Sequence, residues 1–123
     1  MENSVSARCV TTRRLIVARI KPGATGDVAR LFGASDRTAL PGDLGVVRRD
    51  LFHHGDRYFH LVEFAGDDGE ALARARDRTD FRALSADLDA YITPVDPTTW
   101  RGPQDAMATC FYSWASTDGT ARR

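Results

Sequence analysis

The sequence predicts an α+β domain of the ferredoxin-like type, a βαββαβ order that builds a four-stranded antiparallel sheet with helices on one face. Three observations support this fold class. A β-branched run lies near the N-terminus, a hairpin pattern surrounds Gly55-Asp56, and two stretches with helical spacing separate the strands from a final apolar segment. Right-handed crossovers place both helices on the same side of such a sheet.

The first strand and the first helix are marked by a change in the spacing of apolar residues. Residues 13–20 read RRLIVARI and end at Lys21-Pro22-Gly23, which predicts a strand followed by a turn. Apolar residues then recur three and four positions apart, which predicts a helix that fades at residues 33–36: Val28, Leu31 and Phe32. Residues 40–43 read LPGD and predict a loop.

A β-hairpin is predicted between residues 44 and 64, where GVVRRDLFHH and RYFHLVEF flank Gly55-Asp56. A two-residue turn fixes the register, because each step away from it pairs the next residue on either strand. The expected pairs are His54–Arg57, His53–Tyr58, Leu51–His60, Arg49–Val62 and Val47–Phe64. Successive pairs face opposite sides of the sheet, so this register sorts the side chains into two faces.

The second half of the domain is predicted as a broken helix, a loop and a last strand. Residues 70–92 carry two short amphipathic pieces, the second with Asp80 as its N-cap. Residues 93–105 hold three prolines and one large apolar anchor, Trp100. The run AMATCFYSW over residues 106–114 predicts the fourth strand.

One domain is expected over residues 12–115, between a disordered leader at 1–11 and a flexible tail at 116–123. No uncharged stretch approaches the roughly 18 apolar residues that a membrane span requires. The first residues lack the apolar core of a secretory signal, so we expect a cytoplasmic protein.

Charge and cysteine content exclude several classes of function. The chain has 17 basic and 17 acidic residues, and this zero balance argues against a nucleic-acid partner bound through its phosphates. Cys9 and Cys110 do not form a C-x-x-C motif. His53 and His60 are diagonal neighbours in the predicted hairpin, but no third ligand accompanies them, so we expect no metal site.

One face of the hairpin carries more apolar area than a solvated sheet face usually does. Phe52 lies opposite Phe59 with Leu61 nearby, and Arg48 lies opposite Glu63. The short chain has no spare element to cover this face. We therefore expect a homodimer in which two sheets pack face to face.

The other face mixes apolar residues with Arg49, His53, Tyr58 and His60. Burial of such groups is costly unless they are paired or hydrated, so a partly hydrated cavity beneath the helices is expected. Arg49 and His60 lie one cross-strand step apart and would stabilise an anion and transfer a proton. The alternative is a structural salt bridge for Arg49 and a semi-buried, hydrogen-bonded His60.

Asp36 falls at the end of the first predicted helix. It is either a turn residue that bonds nearby backbone or a carboxylate that orients a histidine or acts as a base.

The chain also resembles a known family, the tetracenomycin-type aromatic polyketide cyclases. The similarity covers residues 14–115 and is most specific in the hairpin, in the Arg48-Arg49 step and in Tyr58-x-His60-Leu61-x-Glu63. Further matches are Leu40-Pro41, Ala75-Arg76, Tyr91, Thr93-Pro94 and the ending Cys110-Phe111-Tyr112-Ser113-Trp114.

This resemblance implies a dimeric α+β barrel, no cofactor, and closure of a late ring on an aromatic polyketide. The family's site falls on Asp36, Arg49 and His60, which we expect to be catalytic. Ser35 stands where the best-known member has a histidine, and a hydroxyl does not carry protons as an imidazole does near neutral pH. The residues expected to bind substrate are Ser35, His53, Tyr58 and Trp100.

The expected reaction is an intramolecular aldol condensation with dehydration on a partly cyclised polyketone. His60 would be the general acid/base, Asp36 its orienting group or partner base, and Arg49 the stabiliser of enolate or alkoxide charge. Two alternatives remain open at this point: a cofactor-free oxygenase on the same fold, and a non-catalytic dimeric module that binds a polyketide.

Overall fold

The computed structural model of the chain describes residues 11–66, 68–100 and 103–116. The helices and strands, in chain order, are β1 (Thr11–Ile20), α1 (Thr25–Asp36), α2 (Leu40–Asp43), β2 (Val46–His54), β3 (Arg57–Ala65), α3 (Asp68–Arg76), α4 (Thr79–Leu88) and β4 (Ile92–Thr93), followed by a 3₁₀ turn at Pro103–Ala106. One sheet has the order β2-β3-β1-β4 with antiparallel pairing between all neighbours. This confirms the predicted ferredoxin-like fold.

The fourth strand does not lie where the sequence predicts it. β4 has only two residues and pairs with the end of β1. The carbonyl of Tyr91 accepts the N–H of Lys21 at 2.9 Å. The segment directly after α4 therefore takes the place beside the end of β1. In the segment predicted as a strand, residues 106–114, Met107 forms a single antiparallel bridge to Ile16 and no strand follows it.

The hairpin register is confirmed from the turn as far as Arg48, which lies opposite Glu63 as predicted. A β-bulge between Val46 and Arg48 then changes the pairing, and Val46 rather than Val47 lies opposite Phe64. The predicted place of Val47 is therefore wrong, and its side chain is 56% exposed. A bulge adds one unpaired residue to one strand, which moves the following side chains to the other face.

Gly45 gives the chain the turn that this bulge follows. Its φ is 80°, in the left-handed region that favours glycine, and its carbonyl accepts the N–H of Ala65 at 2.7 Å.

The helices cover one face of the sheet, which we call the inner face. The segment predicted as a loop at residues 40–43 is the short helix α2, with Pro41 in its first turn. The second amphipathic helix begins at Thr79, and Asp80 lies within its first turn instead of capping it. The core between α1 and the inner face contains Ala18, Ile20, Ala24, Val28, Phe32 and Tyr58, with Leu84 and Leu88 of α4 against it.

The opposite side of the sheet, which we call the outer face, is not covered by any helix of the described residues. Phe52 is 56% exposed there. It lies with four half-buried apolar side chains, namely Leu15, Val17, Phe59 and Leu61. This arrangement agrees with the face pattern that the sequence predicts. Among the described residues, no helix is long and apolar enough to cross a membrane.

The predicted leader at residues 1–11 and tail at 116–123 lie outside the described residues, apart from Thr11 at the start of β1 and Ser116.

Candidate active site

A cavity of about 360 Å³ lies between the inner face of the sheet and the helices. This volume is within the range of small-molecule binding sites in proteins. Most of the wall is apolar and comes from every layer of the fold, including Ile16, Phe32, Leu40, Leu44, Val62, Phe81, Leu84 and Leu88. Polar side chains gather where α1 meets β2 and β3.

The last turns of α1 supply one side of this polar region. Phe32, Ser35 and Asp36 are three and four positions apart, so they lie on one helix face. The hairpin supplies the other side, because Arg49 and His60 point to the inner face from neighbouring strands.

Arg49 and Asp36 form a bidentate ion pair across these elements. Arg49 Nε donates to Asp36 Oδ2 at 3.0 Å, and Arg49 Nη2 donates to Asp36 Oδ1 at 2.7 Å. The Arg49 side chain is only 14% exposed, so solvent screens this pair less than a surface ion pair. Both carboxylate oxygens of Asp36 are thus directed at Arg49. In this structure the aspartate meets the guanidinium and not the histidine ring.

The remaining nitrogen of Arg49 faces His60. Arg49 Nη1 lies 3.1 Å from His60 Nε2. A guanidinium has only donors, so Nε2 accepts this hydrogen bond and must be unprotonated. His60 is therefore the neutral tautomer with its proton on Nδ1.

Burial and charge both keep His60 neutral. The residue is 7% exposed, and desolvation, together with the positive charge of Arg49, lowers its pKa from 6.5 to about 4. The carboxylate of Asp36 opposes this shift to a smaller extent. The ring also packs edge to face against Phe32, with centroids 5.1 Å apart, which fixes its orientation.

Phe32 contacts both His60 and Arg49. The Arg49 guanidinium carbon lies 4.7 Å from the centroid of the Phe32 ring, a cation–π contact. Sequence reasoning assigns Phe32 only to the core of the first helix. The signal that identifies its second role is its spacing of four residues from Asp36 on the same helix.

Tyr58 lies on the inner face two residues before His60 and lines the cavity. It is 4% exposed, and burial raises the pKa of its hydroxyl above the ordinary value of 10. The hydroxyl is thus protonated at neutral pH and can donate a hydrogen bond.

The structure brings together six of the seven residues that the sequence singles out. Asp36, Arg49 and His60 are in contact, and Ser35, Tyr58 and Trp100 line the cavity. His53 is the exception. It is exposed beside the turn, where its Nδ1 lies 3.3 Å from the carbonyl oxygen of Gly55.

The cavity has a second group of polar side chains that sequence reasoning missed. Ser85 and Asp89 are four positions apart at the end of α4, and Thr93 of β4 also lines the cavity. Within the described part of the chain, no three His, Cys, Asp or Glu side chains are grouped closely enough to hold a metal ion.

Comparison with known proteins identifies relatives over nearly the whole domain. Residues 12–115 match the family model described as polyketide synthesis cyclase. An uncharacterized protein of Streptomyces coelicolor is 48% identical over 104 residues, which are 84% of this chain and 94% of that protein. The polyketide synthase CurG of Streptomyces cyaneus is 44% identical over 100 residues, covering 81% of this chain and 94% of CurG.

The tetracenomycin F2 cyclase of Streptomyces glaucescens is 38% identical over 106 residues, which cover 86% of this chain and 96% of that enzyme. The solved structure of this cyclase, described as a type-II polyketide cyclase, superposes with a TM-score of 0.79 over 85% of this chain and 98% of the other, at 37% identity. With the family model matched over residues 12–115 and this relative aligned over most of both chains, the protein belongs to the polyketide synthesis cyclase family.

Proposed function

We propose that this protein closes a late ring of a partly cyclised aromatic polyketide by intramolecular aldol condensation and dehydration. The observation that carries the proposal is the contact of Arg49 with both Asp36 and His60 at one end of a cavity whose wall is mostly apolar. A mostly apolar wall suits a flat polycyclic ligand, and the polar group around Arg49 suits a reacting pair of carbonyl groups.

Substrate binding would first release the base. When a ketone oxygen of the substrate takes the hydrogen bond of Arg49 Nη1, the lone pair on His60 Nε2 becomes free. A methylene between two ketones is acidic because its enolate is delocalised. Nε2 takes the methylene proton as the C–H bond breaks, and Arg49 binds the enolate oxygen.

Ring closure follows from the same arrangement. The enolate carbon forms a bond to a second ketone carbon, whose oxygen becomes an alkoxide and takes the proton from Nε2. Loss of the hydroxyl and of a neighbouring proton as water then gives the aromatic ring. A histidine with a pKa of about 4 is a stronger acid in its protonated form than an ordinary imidazolium, so it gives the proton readily to the alkoxide.

The ion pair with Asp36 gives Arg49 a fixed position for this work. A bidentate pair together with a ring beneath the guanidinium leaves the arginine little freedom to reorganise. Donors that are already in place when charge develops typically contribute about 10²–10³-fold each to a rate. The apolar walls contribute by folding the substrate so that one carbon meets one ketone.

The test is incubation of the purified protein with synthetic, partly cyclised polyketones that carry adjacent carbonyl groups. Product mass and regiochemistry are measured against buffer alone and against the Arg49→Ala variant. Loss of one water with a single new ring supports the proposal. Gain of oxygen would indicate an oxygenase instead, and tight binding without any product would indicate a binding module, so either result contradicts it.

We also propose that the protein works as a homodimer joined through the outer faces of two sheets. The exposed ring of Phe52 and the four apolar side chains around it support this assembly. Charged side chains at the rim of this face, including Arg48 and Glu63, lie opposite each other on neighbouring strands and would help to set the orientation of two copies.

A further inference from the structure

The helix that covers the cavity near β4, α4, interrupts its own apolar pattern at two positions. Its cavity-lining residues follow the spacing i, i+3, i+4, i+7 and i+8, which is typical of a helix that faces a core: Phe81, Leu84, Ser85, Leu88 and Asp89, the last at the C-cap. The three apolar ones pack against buried apolar residues of the core. Ser85 and Asp89 place oxygen atoms at the two positions where the pattern predicts apolar side chains.

Helix stability does not explain Asp89. The last turn of a helix carries partial negative charge, so an acidic C-cap is unfavourable, and α4 has no basic residue in its last turn to offset it. Neither the exposed Asp89 nor the half-buried Ser85 makes a side-chain hydrogen bond or ion pair with another described residue. Residues that break a local rule of stability without a structural gain are expected at functional sites.

These two side chains are remote from the polar group around His60. His60 pairs with Ile16 of β1, whereas Ile92, three residues after Asp89, pairs with Ile20. The segment of β1 from Ile16 to Ile20 extends about 13 Å. The arginine of the first group also lies on β2 and Ile92 on β4, and these are the two edge strands of the sheet. The two polar groups therefore lie toward opposite corners of the inner face.

The two groups offer a ligand opposite kinds of hydrogen bond. At the first group, the guanidinium of Arg49 has only donors, and the protonated hydroxyl of Tyr58 can donate as well. At the second group, the carboxylate of Asp89 has only acceptors, and the hydroxyl of Ser85 can accept. One end of the cavity thus suits carbonyl oxygens, and the other suits hydroxyl groups.

A partly cyclised aromatic polyketide has the same asymmetry. Its closed rings carry phenolic hydroxyl groups, which donate hydrogen bonds, while its unclosed part carries ketones, which only accept them. A hydrogen bond from a phenol to a carboxylate is charge-assisted and is stronger than one between neutral groups. Only one orientation of such a molecule satisfies both ends of the cavity, with the closed rings beside α4 and the ketones beside Arg49.

We infer that Ser85 and Asp89 form a subsite that binds a phenolic hydroxyl of the closed rings and thereby sets which part of the substrate reaches His60. Asp89 is then a specificity-determining residue, because it selects the ring that closes and takes no part in the proton transfers. The inference rests on the proposed function and adds the orientation of the substrate to it.

Equilibrium binding of two stable probes tests this subsite without any reaction. The first probe is an anthracene with an acetyl group at one end and a hydroxyl group at the other. The second probe is the methyl ether of the first, which has no donor. We expect the unchanged protein to bind the phenol about 10- to 100-fold more tightly than the ether, the usual effect of a hydrogen bond to a charged group.

Variants of α4 assign this preference to single side chains. Asp89→Ala should remove most of it, and Ser85→Ala should reduce it partly. The matched control Asp87→Ala removes the same charge from the same end of α4, at an exposed residue outside the cavity wall, and should keep the preference. Thermal unfolding of Asp89→Ala should occur at no lower temperature than that of the unchanged protein, because alanine favours a helix and the acidic C-cap is lost.

Three binding results would overturn the inference: an equal preference for the phenol in Asp89→Ala and Asp87→Ala, equal binding of both probes by the unchanged protein, or no binding of the phenol at all. Product formation from synthetic polyketones is measured separately. There Asp89→Ala should give more than one ring-closure isomer, and Asp87→Ala the single product of the unchanged protein. A protein that discriminates between the probes but closes no ring would refute the cyclase proposal and leave this subsite in place.

Discussion

Arg49 Nη1 lies 3.1 Å from His60 Nε2, so the group best placed to act as a base is already engaged by the group best placed to bind an oxyanion. Because the guanidinium can only donate, this contact requires a neutral histidine. In the proposed reaction, a substrate oxygen that takes over the Arg49 hydrogen bond would activate both residues in one step. Arg49 therefore influences two parts of the proposed reaction.

Replacement of Arg49 should lower turnover far more than it lowers stability. Arg49→Ala removes the donor to the enolate oxygen, and we expect a loss on the order of 10²-fold in kcat/KM, or about 3 kcal/mol. Arg49→Lys keeps the charge but loses the bidentate geometry, so it should recover little of that rate. Steady-state kinetics together with denaturant unfolding measures both effects.

Arg48→Ala is the control for this variant. Arg48 is the neighbour in sequence, but it points to the outer face, where its Nε pairs with Asp50 Oδ2 at 2.8 Å. It should change assembly and leave the chemical step intact. A nearly silent Arg49→Ala beside an inactive Arg48→Ala dimer would contradict the assignment of the inner face as the catalytic one.

Asp36 should affect the rate of the reaction because it holds the Arg49 guanidinium in place. Asp36→Asn keeps one acceptor but removes the negative charge that holds the guanidinium, and a small displacement of a catalytic group costs roughly 10- to 100-fold in rate. Ser35→Ala, one residue earlier in α1, should change the rate little. The kcat values of the two variants are compared. Equal losses would contradict a specific role of Asp36 in holding Arg49 and would indicate that this end of α1 contributes only the shape of the site.

Stability should fall in acid because of His60. Its pKa is about 4 in the folded protein and about 6.5 when unfolded. Above pH 6.5 the ring is neutral in both states and contributes no pH dependence. As the pH falls from 6.5 to 4, the unfolded chain binds the proton first, and up to about 3 kcal/mol of stability is lost; below pH 4 the loss is complete.

Denaturant unfolding at pH 7.5 and pH 4.5 measures this loss. The matched variant His60→Asn should show a smaller difference in unfolding free energy between the two pH values. Both proteins contain the same carboxylates, so only the titration of His60 distinguishes them. The acid limb of kcat/KM, which reports the free enzyme, should lie near pH 4. A limb near 6.5 would show that His60 is not the titrating base.

Gly45 should be intolerant of a side chain. It has φ +80°, and an added Cβ would lie 3.4 Å from the carbonyl oxygen of Ala65. We expect Gly45→Ala to cost about 1–2 kcal/mol of unfolding free energy. Gly26→Ala is the comparison, because Gly26 is in α1 with open space around it and alanine favours a helix by about 1 kcal/mol. Thermal unfolding should move in opposite directions for the two variants.

A charge on the outer face should separate the proposed dimer. Phe52→Glu places a carboxylate at the most exposed apolar position of the outer face, on the edge strand β2, where the proposed dimer would bury it without a partner. Light scattering should show a folded monomer for this variant and a dimer for the unchanged chain. A variant that remains dimeric would contradict the sheet-to-sheet arrangement.

The hairpin is the part of the fold that the sequence predicts most closely. A two-residue turn at Gly55-Asp56 leaves one register, and that register places Arg49 and His60 on one face. It fails at Val47, because two adjacent valines do not reveal which of them bulges out of the ladder. The strand pattern of residues 106–114 likewise does not reveal that a two-residue strand, β4, pairs with the end of β1 instead.

The residues of the site could be predicted from the sequence, but the contacts between them could not. Periodicity places Asp36 at the end of a helix and His60 on a strand. Their separation depends on how the helix packs on the sheet, and a long arginine can fill the space between them. The contact of Phe32 with Arg49 has the same origin, because a helix-core phenylalanine and a cation-binding ring have the same sequence pattern.

The bidentate pairing of Asp36 with Arg49 makes the polar end of the cavity electroneutral, since one anion, one cation and a neutral imidazole are gathered there. A carboxylate or phosphate ligand would have to compete with Asp36 for the guanidinium and so gains little long-range attraction. An uncharged ketone loses nothing by this balance, because it needs only the hydrogen bond that Arg49 now gives to His60. We therefore expect the ion pair to select ligands by charge and to favour neutral carbonyl compounds over anions at this end of the cavity.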